Sequence, residues 1–177
     1  SITFTITDDS IYEGDETITF STAFITGDST YTSQSSSTSF TITENESAPT
    51  VTLTSSASSV AENGSALTLT ATLSAVTETN VTVSISTSGT GTEGTDYSTV
   101  SDITIVGGAT TGTASFTPTN DSVFEGNETG IIAIDTVTGG GGGVTENGTQ
   151  AVTITITDDE SAPTVTLTSS ASSIAEN

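Results

Sequence analysis

The 177 residues contain no lysine, arginine, histidine, cysteine, methionine or tryptophan, and only three prolines. Every side-chain charge is negative: 22 Asp and Glu give a formal charge of -22. Binding to nucleic acid or to an anionic membrane surface is excluded, because both need cationic groups to meet phosphates and displace counterions. Without His, Cys or Lys there is no ready base or nucleophile near neutral pH, and without Arg no clamp for an anion, so the chain is not expected to be an enzyme. A pair of carboxylates could still hydrolyse a glycoside, but with no Trp and 5% aromatics there is little to stack a sugar. No disulfide scaffold can form. No apolar run approaches the roughly 18 residues of a membrane-spanning helix, and any signal peptide or anchor is expected outside these residues. Residues that oxidise easily or that trypsin-like proteases cut after are also missing, which suits an extracellular, cell-surface setting.

What is present is a repeat. Glu46 to Asn63, ESAPTVTLTSSASSVAEN, returns as Glu160 to Asn177, ESAPTVTLTSSASSIAEN, with only Val60 changed to Ile174 and an offset of 114 residues. The chain reads as a slice of a tandem array. Residues 1–47 are the C-terminal part of one repeat, 48–163 a complete repeat, and 164–177 the first strand of the next. The joint between repeats is a short Ser-Ala-Pro, and its proline makes a stiff connection the expectation.

Alternation of period two runs throughout. Leu67, Leu69, Ala71 and Leu73 interleave with Thr68, Thr70 and Thr72, which points one set inward and the threonines outward. Ile2, Phe4 and Ile6; Val51 and Leu53; Val81, Val83 and Ile85; Ile132 and Ile134; and Val152, Ile154 and Ile156 repeat the pattern, and no segment offers a helical face. Threonine is β-branched and neutral, so it favours strands while keeping the outer face wet. About seven strands between Pro49 and Asp159 predict an all-β fold of tandem Greek-key, immunoglobulin-like β-sandwiches. Residues 1 to about 46 are expected to give the last three strands of the preceding repeat. The glycine run Gly139–Gly143 is expected to be a mobile loop tip without chemistry of its own.

The acids gather in a repeated pattern. Asp8, Asp9, Glu13, Asp15 and Glu16 match Asn120, Asp121, Glu125, Asn127 and Glu128 at an offset of 112; Glu44 and Glu46 match Asp158, Asp159 and Glu160 as the closing cluster. Two like charges about 4 Å apart repel by about 4 kcal/mol near a protein surface, and no basic residue exists to offset this. A calcium ion does so, taking 6 to 8 oxygen ligands in flexible geometry. The bland alternative is a set of solvated turns, in which Asp, Asn and Gly serve the backbone; recurrence at strand ends in both copies favours calcium. EF-hand spacing and glycine-aspartate nonapeptides are both absent, so different loops at one end of a sandwich would assemble the site.

The order VAENGSALTLTATL, GTEGTDYS, FTPTNDSVFEGNET, VTITITDDE resembles the Calx-beta repeat. That resemblance implies a β-sandwich holding calcium at its distal end. It implies as ligands Glu62, Asp96, Asn120, Asp121, Glu125, Asp158, Asp159 and Glu160, and in the preceding repeat Asp8, Asp9, Glu13, Glu44 and Glu46. One charge differs between the copies: Asn120-Asp121 stands where the preceding repeat has Asp8-Asp9. The expected function is a calcium-stabilised structural segment of a long extracellular bacterial adhesin or surface filament, similar in composition to gliding-motility adhesins. Its expected partners are calcium ions and neighbouring repeats, with surface glycans or other cells met through regions outside these residues. A calcium-sensing module and a sheath subunit assembling by strand exchange are the alternatives.

Overall fold

The computed structural model describes residues 3–22 and 36–176. It is all-β, with no helix among the described residues. Residues of the preceding repeat form one antiparallel hairpin, β1 (Glu16–Ser21) with β2 (Ser37–Ile42), in which Ile18 lies opposite Phe40. The complete repeat supplies nine strands: β3 (Thr50–Ser55), β4 (Ser59–Ala61), β5 (Leu67–Leu73), β6 (Val81–Gly89), β7 (Ile103–Ile105), β8 (Thr111–Phe116), β9 (Glu128–Gly139), β10 (Thr145–Glu146) and β11 (Ala151–Thr157).

These make two sheets, ordered β10-β3-β5-β8 and β4-β11-β9-β6-β7. All pairs are antiparallel except β10 with β3 and β4 with β11. The chain therefore switches sheets between Ser55 and Ser59: the first half of the entering strand joins one layer and the second half the other. Alternation places the core as expected, with Val51, Leu69, Ala71, Val81, Val83, Ile132 and Ile154 without solvent contact and threonines between them facing out. At one end of the core Tyr97 stacks on Phe116 with ring centroids 4.7 Å apart. Gly130 on β9 makes room for that ring, since a Cβ there would meet Phe116 at 2.9 Å. A bulge in β6 at Ser84/Ile85 is held by Asp102, whose carboxylate accepts from the Ile85 N–H at 2.9 Å and the Ser84 hydroxyl at 3.3 Å.

Two segments differ from the sequence expectation. Phe4 and Ile6 form no strand and stay partly exposed. At an offset of 112 they correspond to Phe116 and Pro118, at the end of β8, which is paired with β5 in the complete repeat. In the complete repeat that ladder is made with β5; among the described residues Phe4 and Ile6 have no such partner. Residues 164–176 likewise form no strand, and Val165 and Leu167 are 99% and 98% exposed.

The sandwich has two distinct ends. At one, the residues after β4, the β6–β7 and β8–β9 loops and the residues after β11 converge, carrying most of the acids. At the other, which we call the base, lie the β5–β6 and β9–β10 connections. The base receives the preceding repeat. Tyr12 accepts from the Glu78 N–H and donates its own N–H to Val76, both at 3.2 Å, and its ring is buried in the same core cluster as Val144.

Candidate functional site

The acid end is built from four elements that the topology brings together. Glu62 follows β4 directly, and its N–H donates to the Thr157 carbonyl at 3.0 Å, tying it to the end of β11. Asp96 sits in the turn after β6, where its Oδ2 accepts the Thr92 N–H at 2.5 Å and its backbone binds Thr92 and Thr119. The β8–β9 loop brings Asp121 and Glu125, and β9 begins with Glu128. Asp158 to Glu160 follow β11.

Three groups of carboxylates have oxygens within 4.8 Å of one another: Glu62 with Asp121 and Glu125, Glu62 with Asp159 and Glu160, and Asp96 with Glu125 and Glu128. Glu62 belongs to two of these groups and Glu125 to two. Of the predicted ligands of the complete repeat, six are thus brought together: Glu62, Asp96, Asp121, Glu125, Asp159 and Glu160. Asn120 carries an amide in place of a carboxylate, and its side-chain NH2 donates to the Asp121 carbonyl at 3.4 Å. Asp158 has another task. Its Oδ2 accepts the N–H groups of Glu125, at 2.6 Å, and of Gly126, and its Oδ1 accepts that of Glu160 at 2.8 Å. It is the clasp that holds the β8–β9 loop against the end of β11. Glu128 is the member that sequence reasoning left out of the ligand set. Its pattern position, closing the NDSVFEGNE motif, was the available signal.

The electrostatics follow from this crowding. Glu62 is 6% exposed and Asp96 7%, unusual for carboxylates in a chain with no cation. Burial first, and then the charges of Glu160, Asp121, Asp158 and Asp159, push Glu62 up to about 7. Glu125 is raised by burial and by Asp121, Asp96 and Asp158, and Glu160 by burial and its neighbours Asp159 and Asp158. Burial raises Glu128 as well, helped by the charge of Asp96 and a hydrogen bond to it. Asp158 moves the other way, because the Gly126 N–H and its other backbone donors favour the ionised form. Two buried oxygens, Glu62 Oε2 and Glu160 Oε2, have no hydrogen-bond partner. A buried acceptor left unpaired costs about 1–3 kcal/mol, more when charged.

Among the described residues the preceding repeat reproduces the loop and the clasp, and the positions equivalent to Glu62 and Asp96 fall before residue 1. Glu44 Oε2 accepts the Glu13 and Gly14 N–H groups at 2.6 and 2.7 Å, as Asp158 does for Glu125 and Gly126. Its Oε1 accepts the Glu46 N–H at 3.0 Å. These donors, led by Glu46, hold Glu44 down to about 2. Asp9 accepts the Ile11 N–H at 2.8 Å and Asp121 that of Val123 at 2.7 Å. Asp8 binds the Asn45 amide at 3.0 Å. Asp8, Asp9, Glu13, Glu44 and Glu46 line one cleft, but no three carboxylates there converge within 4.8 Å among the described residues.

A sandwich of two antiparallel-based sheets, repeated in tandem and gathering acids from four connections at one end, defines a class of acid-ended immunoglobulin-like repeat. The family model of the Calx-beta domain matches residues 1–46 and 44–160, and the chain belongs to that family. Solved structures with the same fold include the apo form of the Calx CBD1 domain. It is 21% identical with a TM-score of 0.52, and the match covers 62% of this chain and 97% of that domain. CBD12 from CALX1.2 is 20% identical with a TM-score of 0.52, over 62% of this chain and 45% of that one. Comparison with curated protein sequences gives no match.

Proposed function

We propose that the acid end binds calcium and that the chain is a calcium-stabilised structural segment of a long extracellular surface protein. The observation that carries this reading is the pair of unpartnered buried oxygens, Glu62 Oε2 and Glu160 Oε2, where carboxylates from four connections meet. A hard divalent cation satisfies such oxygens and offsets their repulsion. Glu62, Asp121, Glu125, Asp159 and Glu160 would hold one part of the calcium, and Asp96, Glu125 and Glu128 another. The donors are all oxygen, with no sulfur or imidazole in the chain, which suits calcium and disfavours zinc. Membership of the Calx-beta family supports the same cation.

The structural role rests on the tandem repeat, the stiff joint and the lack of catalytic side chains. Composition supports an exposed bacterial stalk of adhesin or gliding-motility type. The test is thermal melting of the chain in calcium and in chelator. At free calcium a hundred times the dissociation constant, binding to the folded state adds about 2.7 kcal/mol, and the midpoint should rise by roughly 10 °C. Equal midpoints at every calcium concentration would remove the reading. Scattering in the two conditions separates a rod, which keeps its sandwich dimensions, from a sensor, which changes them.

A further inference from the structure

In the complete repeat Val123 and Phe124 stand at the acid end, 56% and 44% exposed. At an offset of 112 they match Ile11 and Tyr12, and Tyr12 is 9% exposed because it is plugged into the base of the sandwich that follows it. There its backbone bridges to Thr77 in parallel fashion and bonds Val76 and Glu78. The socket depends on the glycine run. Gly139–Gly143 all have positive φ, from 64° to 91°, which side-chain-bearing residues rarely adopt. A Cβ on Gly143 would meet the Tyr12 hydroxyl at 2.5 Å, and one on Gly141 would collide with the Glu13 carbonyl. The run expected to be a mobile tip is the wall against which the preceding repeat rests.

The two knobs share one backbone. Gly14 and Gly126 both have φ 81°, and Glu44 and Asp158 clasp them through equivalent N–H groups. They differ in what faces them. A Cβ on Gly14 would strike the Gly141 carbonyl, whereas nothing lies within 4 Å of the same position at Gly126. Pro49, which tethers the docked knob to its socket, is buried, and Pro163 at the second joint is exposed. The tether is the same, Ser-Ala-Pro, and the residues after it repeat the strand that enters a sandwich of this kind.

We infer that Val123 and Phe124 are an interaction surface whose occupant is the base of another copy of this sandwich, the one opened at residue 164, held in the groove that Tyr12 fills in the first joint. Each repeat then carries a knob at its acid end and a glycine-walled socket at its base. The short tether keeps the socket at high effective concentration, and the apolar contact fixes the repeat-to-repeat angle. This joint does not depend on the calcium reading, since the contact is made by an aromatic ring and backbone.

The chain has no tryptophan, so a single Trp reports cleanly. Phe124→Trp is prepared in the 177-residue chain and in the same chain extended with the sequence of residues 64–163, which completes the next sandwich; Tyr12→Trp marks the docked state. Acrylamide quenching of Phe124→Trp should fall several-fold on extension, to the level of Tyr12→Trp, in calcium and in chelator alike. Unchanged quenching, with the added sandwich shown folded by its own melting transition, would overturn the proposal. Phe124→Ser in the extended protein should leave both transitions in place and broaden the distribution of end-to-end dimensions in scattering; an unchanged distribution would also overturn it. Failure of calcium to alter any melt, with quenching still reduced, would count against the calcium reading alone.

Discussion

The two acid ends of this chain share a loop and a clasp and differ in the acids that residues 1–177 bring to them, since the positions equivalent to Glu62 and Asp96 in the preceding repeat fall before residue 1. In the preceding repeat Asp9, Glu13, Glu44 and Glu46 line an open cleft. In the complete repeat the corresponding Asp121, Glu125 and Glu160 converge on Glu62, and Glu125 also approaches Asp96 and Glu128. Glu62 and Asp96 come from the first half of the sandwich, more than 20 residues before the NDSVFEG loop. The local motif shapes a loop, and the proposed cation site needs the buried acids that come to it from elsewhere in the sandwich. Charge count alone does not separate the two ends, because the open one has the extra aspartate at Asp8.

The largest expected effect comes from removing the member on which the difference rests. Glu62→Gln should lower calcium affinity at least about tenfold and abolish most of the stabilisation by calcium, read by calorimetric titration and melting. In chelator the same variant should melt above wild type, because a buried, crowded charge has become neutral. Asp96→Asn comes next. It should weaken binding at the group with Glu125 and Glu128 while leaving that of Glu62, Asp159 and Glu160, so titration should show loss of part of the bound calcium.

The pH dependence sharpens the contrast further. The folded value of about 7 for Glu62 lies above its ordinary 4.5. Without metal, the folded chain keeps a proton that the unfolded chain has lost, so this contribution to stability is full below about 4.5 and disappears as pH rises through about 7. Calcium competes with that proton, so the gain from calcium should grow over the same interval. Melts at pH 5 to 8 with and without calcium should therefore diverge with rising pH. The smallest effect is expected at the open end. Glu44, held down to about 2 by backbone donors, contributes stability that is present above about 4.5 and lost as pH falls toward about 2. Glu44→Gln should lower the stability of the Tyr12 joint slightly at neutral pH and leave calcium affinity of the complete repeat unchanged.

Much of the fold was legible because threonine alternation marks the two faces of a strand: Leu69, Ala71, Leu73, Val81 and Val83 are buried as their period assigns, while Leu67 and Ile85 are half-buried. What period two cannot supply is a partner. Thr50–Ser55 and its repeat at 164–169 have the same letters, yet one is a strand with Val51 fully buried and the other is unpaired and exposed. Sheet formation is decided by the ladder available, a property of distant sequence. The acid clusters were visible from their recurrence, and the resemblance to Calx-beta repeats added Glu62 and Asp96. The separate tasks of Asp158 as clasp and Glu128 as candidate ligand were not visible, since both are acids at strand ends and only the loop geometry distinguishes them. The glycine run looked featureless for a related reason: its meaning lies in the Tyr12 knob, more than 120 residues earlier.

The central claim is that buried Glu62 makes the end of the complete sandwich a calcium site. A diffraction experiment on crystals grown in calcium, with anomalous scattering used to locate the ions, tests it most directly. The account predicts calcium touching Glu62 together with Glu160 or Asp121. Ions confined to the exposed acids, with Glu62 left bare, would contradict it.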